Sequence, residues 1–529
     1  MRARLKSTVQ TLSTHGKLGS HRIVEDGTRT KSWRGRLKIC LIYPHTYYVG
    51  MSNLGFQQIY GLWNDMDEVV CERAFLPEAG GEIRSFESDR PLRDFDVLAF
   101  TLSFENDAIH VLRILKNAGL ALRSADRSDD DPLVIMGGAA PSMNPCPMER
   151  FVDLFAFGDG EDLVFEIART LRASPFLRHH RERQLEALLE IPGTFAPSLQ
   201  GDYPERPVPR RTIKFLNSYL TKTEIVTSHT EFSDLYTVEV SRGCPQRCRF
   251  CSVSYTEAST RFRRLSFLRS AFDEGIERVG RIGLLGAALS DHPELLDMCA
   301  YIVDKGGEIS LSSLRVEAIN KKLVELLVYS KQRTLTLALE TASPRLQEII
   351  HKKTSEDSVN HVVETALLSG VKNLKFYFII GLPTETREDV LYLAQWVKRI
   401  HETFVKVSKA RGQIGTLSVS LNPWIPKPTT PFESCAHVRA EELQARFEIL
   451  MREVEGLKHL HINHEGWDTA QLQSLLSVGG PETAEFLIDC HEAGDDWRSA
   501  LARHSEMVEN TVYRAKSVGE RLPWSFITR

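Results

Sequence analysis

Two successive series of short apolar runs, each followed by a helix-length amphipathic stretch, constrain this chain more than any other feature. The first series comprises LKICLIYP (37–44), FDVLAFTLSF (95–104), PLVIMGG (132–138) and DLFAFGDGED (153–162). The second comprises LYTVEVSRG (235–243), RIGLLGA (281–287), GEISLSSLR (307–315), RTLTLALET (333–341), LKFYFIIGLP (374–383) and TLSVSLNPW (416–424). Strands that alternate with helices bury both faces of a parallel sheet, so the chain is α/β. The first series predicts a doubly wound, Rossmann- or flavodoxin-like domain over 37–175. The six runs of the second predict a partial (β/α)6 barrel over 233–434, with its chemistry at the C-terminal ends of the strands.

Three other stretches break that rhythm. The first 38 residues hold ten Lys or Arg against two acids, and 1–36 reads as a flexible basic arm in which Arg2, Arg4 and Lys6 could touch a phosphate. Residues 176–232, with PSLQGDYPERPVPRR, read as a polar, proline-rich linker. Residues 435–529 read as a helical extension, ELQARFEILMREVEGL being its clearest helix.

Charge and cysteine usage narrow the class. With 66 basic and 70 acidic residues the net charge is -4, which argues against whole-molecule attraction to nucleic acid. No run of 18 apolar residues and no secretory leader is found, so a cytoplasmic protein without a membrane partner is expected. Nine cysteines are too few for a disulfide scaffold in a chain of this length.

Three of those cysteines stand together in SRGCPQRCRFC (241–251), directly after the first strand of the second series. Cys244, Cys248 and Cys251 have C-x3-C-x2-C spacing. A structural zinc site closes with four ligands, and the next cysteine is Cys299. A four-iron cluster held by three thiolates keeps one iron open, as a metal-bound cosubstrate requires.

The string CPQRCRFC, with Phe250 as its aromatic residue, resembles the cluster loop of the radical S-adenosylmethionine superfamily. The resemblance implies a [4Fe-4S] cluster on Cys244, Cys248 and Cys251, whose open iron takes the amino and carboxylate groups of S-adenosylmethionine. One electron then yields methionine and a 5'-deoxyadenosyl radical that abstracts hydrogen from an unknown substrate. An electron donor such as flavodoxin or ferredoxin is implied as a partner.

The resemblance extends over about 235–432 and implies further cofactor-binding residues. LLGAALSDHPEL places Gly286, Ala287 and Ala288 where the family pairs with the methionyl amino group, without the usual acidic third residue. SLSSLRVEAIN offers Ser313 and Arg315. LALETASPRLQEIIHKKT is similar to the E-T-x-S segment of the methylthiotransferase-like branch and offers Glu340, Thr341 and Ser343, the last also a good helix N-cap before Pro344. YFIIGLPTET resembles the end of the family's fifth strand, placing Gly381 and Pro383 beside the adenine.

IMGGAAPSMNP and FGDGED resemble the cobalamin-binding domain fused to one branch of the superfamily, with Gly137, Gly138, Gly158 and Gly160 at strand ends. No D-x-H-x-x-G string lies in 39–170, so cobalamin bound there would lack a histidine ligand. The match DCHEAG (489–494) is read as chance, with Gly494 ending a helix. His45, Tyr47, Tyr48 and Asn53 in PHTYYVGMSNLGFQQIY face a ligand or pack between domains. The segment SLNPWIPKPTTPF (420–432) resembles the last barrel strand of the methylthiotransferases, but helices follow where those enzymes carry an RNA-binding barrel, so nucleic acid is not indicated. Cys40, Cys71, Cys146, Cys299, Cys435 and Cys490 show no second cluster spacing and read as small buried side chains.

Three functions follow from these residues. The first is radical cleavage of S-adenosylmethionine coupled to cobalamin-assisted methyl transfer onto an unactivated carbon. The second is cobalamin-independent radical chemistry with the first domain as a substrate or partner module. The third is a non-catalytic iron-sulfur electron carrier.

Overall fold

The computed structural model describes residues 14–18, 21–78, 80–173, 180–257 and 259–529; Arg2, Arg4 and Lys6 lie outside them. In the first domain, strands Val69–Leu76, Leu37–Thr46, Val97–Thr101, Leu133–Gly137 and Leu154–Ala156 lie side by side in that order, all parallel. Thr194–Phe195 closes the edge antiparallel to them. This is the flavodoxin-like order, which opens a crevice where the connections diverge from Leu37–Thr46 and Val97–Thr101 to opposite faces. The strands are buried on both faces and, apart from Glu72 and Arg73 of Val69–Leu76, largely apolar because each face is covered. Helix Leu54–Asp65 covers one face, its first turn satisfied by Asn53, whose side chain accepts from the Phe56 N–H.

All six runs of the second series are strands: Tyr236–Arg242, Arg281–Gly286, Glu308–Leu311, Thr334–Glu340, Asn373–Ile380 and Leu417–Pro423. They form two parallel groups, joined by one parallel bridge between Leu314 and Leu337. Arg261–Phe262 pairs antiparallel at one edge. The interior is a continuous core of Val, Leu and Ile with Phe376, Phe378 and Trp396.

The region after 435 is mostly helical, as expected, but it also holds a strand of the barrel. Leu460–His464 pairs parallel with Leu417–Pro423 and gives the barrel a seventh parallel strand. Its sequence, LHINH, is polar because both faces of this edge are partly exposed. The later helices do not stand alone either: Leu472, Leu475, Phe486 and Leu487 join the same buried core as Leu98, Leu112 and Val134 of the first domain. They are the missing outer layer of that domain's sheet. Among the described residues no helix is long and apolar enough to cross a membrane.

Two further expectations are corrected. The arm does not run free to residue 36, because Thr14–Leu18 and His21–Asp26 pair as an antiparallel hairpin and Val226–Thr227 adds to it. Glu25 is buried and accepts from the guanidinium of the fully buried Arg73, at 2.7 and 2.8 Å. Arg73 also donates to Glu87 at 2.7 Å. A guanidinium inside a sheet domain needs carboxylates to offset its desolvation, and the arm supplies one. The linker is likewise folded over most of its length: helix Arg181–Leu189 buries Leu185 and Leu188, and Ile213, Leu216 and Ile225 are buried beyond it. Scattered single apolar residues anchor this segment, so no periodic signal announced it.

Glu25→Ala would leave Arg73 with one carboxylate in a closed interior, and a stability loss of about 3–5 kcal/mol is expected. Chemical denaturation of the full chain measures it, and an unchanged midpoint would return residues 21–26 to the status of a loose tail.

Candidate functional site

The first barrel strand, Tyr236–Arg242, delivers the chain to a sharp reversal at Gly243. Gly243 has φ +75°, and a Cβ there would meet the Ser259 carbonyl oxygen at 2.7 Å, so only glycine fits. Cys244 follows. The loop to Cys251 is fixed by its own hydrogen bonds: the Cys251 N–H donates to the Cys248 carbonyl at 3.1 Å, and the Tyr255 hydroxyl to the Arg247 carbonyl at 3.0 Å. It is also fixed to the barrel. The Gln246 amide donates to Asp291 at 2.6 Å, and the Arg249 N–H to the Ile350 carbonyl at 2.9 Å. Phe250 packs against a small apolar cluster of Leu346, Ile350, Leu382, Trp424 and Phe432. The aromatic residue therefore ties the cysteine loop to the turn after the fifth barrel strand, since Leu382 belongs to GLPTET.

Cys248 is buried, while Cys244 and Cys251 are half-buried. Burial pushes the Cys248 thiol up to about 11, and Cys251 and Cys244 add to the rise; Lys352 and Arg315 oppose it. Burial likewise raises Cys251, against the Val253 N–H that its sulfur accepts. The three thiols thus feel one another, and two cations stand ready to offset the charge that iron ligation would create by displacing their protons. Among the described residues no three His, Cys, Asp or Glu converge on a single ion; in a four-iron cluster each thiolate takes its own iron. The donor set of three thiols, one open side and adjoining cations fits a four-iron cluster.

The other expected residues lie at the C-terminal ends of barrel strands or in the turns that follow them. Glu340 sits at a register shift with φ +68° and accepts from Lys352 at 2.9 Å, both side chains nearly buried. The sequence reading missed Lys352, because HKKT resembles an ordinary polar helix end. Its distinguishing signal is the acidic Glu340 twelve residues earlier, beside the same cysteines. Arg315 is half-buried, 3.4 Å from Glu317, whereas Ser313 is exposed. A Cβ on Gly286 would lie 2.2 Å from Ser241 Oγ, so this strand end is closed against the first strand. Gly286 and Ala287 border a cavity, and Ala288 is buried. Gly381 has φ +81°, and its N–H donates to Glu385, which burial pushes up to about 7 despite Arg446 at 2.7 Å. Pro383 is half-exposed on the same turn. Ser343 is an N-cap, accepting from the Leu346 N–H and donating to Asp389 at 2.6 Å.

A cavity of about 580 Å³ separates the first domain's strand ends from the first barrel strand. Asn53, Thr101, Gly137, Gly138, Gly158 and Gly160 border it on one side, and Ser241, Gly243 and Gly286 on the other. Among the described residues no histidine lines it. Gly138 and Gly158 are required by the fold itself, since a Cβ would meet the carbonyl oxygens of Leu102 at 2.4 Å and Arg211 at 2.1 Å. Of the four residues singled out in PHTYYVGMSN, Asn53 alone lines the cavity. Tyr47 donates to Glu25, Tyr48 donates to Glu231 at 2.8 Å, and the ring of His45 meets that of His110.

Asp159 and Glu161 of FGDGED bind the barrel, while Asp162 accepts from the Tyr219 hydroxyl at 2.7 Å. Arg242 pairs with Asp159 at 2.9 Å, with Glu161, and with Glu239 at 2.8 Å. Arg261 adds a second bond to Asp159 at 2.7 Å, and Arg263 one to Glu239 at 2.7 Å. This network joins the two domains beside the cysteine loop. Arg242→Met would strand the buried Glu161 and leave Asp159 and Glu239 with one arginine each, and a loss of about 3–5 kcal/mol is expected in denaturant melts; a variant as stable as the parent would show that the network does not join the domains.

Comparison with known proteins accords with this geometry. Residues 55–197 match the family model described as radical SAM proteins, N-terminal, and residues 238–397 the model of the radical SAM superfamily. An uncharacterised protein of Methanocaldococcus jannaschii, MJ0966, is 26% identical over 85% of this chain and 90% of its own length. An uncharacterised methyltransferase of Pyrococcus horikoshii, PH0819, is 26% identical over 60% of this chain and 66% of its own. Among solved structures, the radical S-adenosylmethionine methyltransferase TsrM of Kitasatospora setae, with tryptophan substrate and aza-SAM bound, covers 89% of this chain and 99% of its own with a TM-score of 0.54 at 11% identity. That likeness is one of fold.

Proposed function

This chain carries the radical S-adenosylmethionine domain together with the N-terminal domain of such proteins, and on that premise we propose that it cleaves S-adenosylmethionine reductively at the mouth of its barrel. The domain implies a [4Fe-4S] cluster and S-adenosylmethionine. The observation that carries the reading is the loop of three mutually close cysteines, fixed to the fifth-strand turn through Phe250.

The cluster, when bound, supplies the electron that breaks the carbon–sulfur bond. Cys244, Cys248 and Cys251 would hold it, with Lys352 and Arg315 offsetting the charge of the thiolates. Gly286, Ala287 and Ala288 would lie along the methionyl end of the cosubstrate, and Ser313, Arg315 and Glu340 would offer polar groups to it. Gly381 and Pro383 would bring backbone to the adenine. The apolar floor under Phe250 limits water on that side.

The finer reading is methyl transfer to an unactivated carbon with cobalamin in the interdomain cavity. The feature favouring it is the cavity's position, at the crevice of a flavodoxin-like sheet and open to the barrel strand that carries the cysteines. A corrinoid there would have no imidazole from the lining residues. Without it, the cavity serves as a substrate site and the radical chemistry is unchanged.

Anaerobic incubation of reconstituted, dithionite-reduced protein with S-adenosylmethionine is expected to yield 5'-deoxyadenosine. Replacing Cys244, Cys248 and Cys251 together by Ala is expected to abolish both iron binding and product. Cluster-loaded protein that makes no 5'-deoxyadenosine would overturn the enzymatic reading in favour of an electron carrier.

A further inference from the structure

Three arginines line the interdomain cavity: Arg210, Arg211 and Arg242. Arg242 is taken by Asp159, Glu161 and Glu239, and Arg211 by Glu166 at 2.9 Å. Arg210 forms no ion pair among the described residues. It is 7% exposed; its Nε donates to the Ser142 carbonyl at 2.8 Å, and its Nη2 is buried without any hydrogen-bond partner. Its backbone is fixed as well: the strand Val208–Pro209 pairs with Ile527–Thr528, and the Arg210 N–H donates to the Thr528 carbonyl at 2.9 Å.

A buried cation with no counter-charge costs several kcal/mol. The surroundings of Arg210 do not relieve that cost, since burial and the neighbouring Arg529 push its pKa down to about 10 against weak support from Glu257. The acids that share the cavity wall are committed elsewhere, Asp159 and Glu257 to Arg261, and Glu161 and Glu239 to Arg242. Arg210 thus lines the cavity without an ion-pair partner among the described residues, and a guanidinium is the side chain suited to seat a carboxylate or phosphate.

We infer that the interdomain cavity binds a ligand with an anionic group, a carboxylate or phosphate, seated against Arg210. This deepens the reading above by giving the charge class of the cavity's ligand, and it does not require the cluster.

The test is the melting temperature of the full chain in inorganic phosphate against chloride at matched ionic strength and pH. Phosphate is expected to stabilise the wild type saturably, and Arg210→Met to weaken its apparent Kd at least tenfold, with Arg210→Lys falling between. General salting-out by phosphate acts equally on all three and cancels in the comparison. The variant with Cys244, Cys248 and Cys251 replaced by Ala is expected to keep the phosphate response, which separates this inference from the cluster assignment. Hydroxocobalamin and cobinamide then distinguish the source, because only the first carries a nucleotide-loop phosphodiester. Competition with phosphate by hydroxocobalamin alone assigns the anion to a corrinoid; competition by neither assigns it to another small molecule. A wild type with no phosphate response, or an Arg210→Met variant with an undiminished one, would overturn the inference.

Discussion

The guanidinium of Arg242 is the interaction on which this architecture turns. It stands two residues before Cys244, at the end of the strand that begins the barrel, and it holds carboxylates from both domains. Asp159 and Glu161 lie at the C-terminal end of the first domain's sheet, Asp159 just before helix Gly160–Ala173 and Glu161 in its first turn, so one side chain ties that sheet to the cysteine loop. Arg261 and Arg263 extend the network, so Asp159, Glu161 and Glu239 are each matched by an arginine. Such a joint stabilises little beyond its desolvation cost, but any displacement that breaks it strands several charges at once. The cavity between the domains exists because this joint holds their strand ends near each other without closing them.

The same logic applies at the cysteines. Three buried or half-buried thiols are a poor resting arrangement for thiolates, as the rise of Cys248 to about 11 shows. Lys352 and Arg315 favour the charged form, and Glu340 both holds Lys352 and moderates its effect. The loop is held by the hydrogen bonds of Cys251, Arg249, Gln246 and Tyr255 and by Phe250, so it does not depend on the sulfur atoms for its shape. That separation lets the sulfurs serve a cluster while the fold stands without them.

Much of this was legible in the sequence, for identifiable reasons. Runs such as LKICLIYP and LKFYFIIG are buried on one or both faces, and a β-period signal survives wherever a strand is central to its sheet. The three cysteines and Phe250 were legible because their spacing is local. What was not legible depended on distant partners. Glu25 reads as one acid in a basic tail until Arg73 is seen beneath it. LHINH passes unnoticed inside a region read as helical because its edge strand is exposed and polar. FGDGED reads as a ligand loop, yet its Glu161 and Asp159 answer arginines about eighty and a hundred residues away. Charge pairing between domains leaves no periodic trace, and neither does Lys352 until Glu340 folds beside it.

The central claim is that three thiolates hold a four-iron cluster whose remaining iron is open to S-adenosylmethionine. Electron paramagnetic resonance of the reduced, reconstituted protein tests it most directly. The account predicts the signal of a reduced [4Fe-4S] cluster and a change in its g-values when S-adenosylmethionine is added. A cluster signal that S-adenosylmethionine leaves unaltered at saturating concentration, or a protein that takes up zinc and no iron, would contradict it.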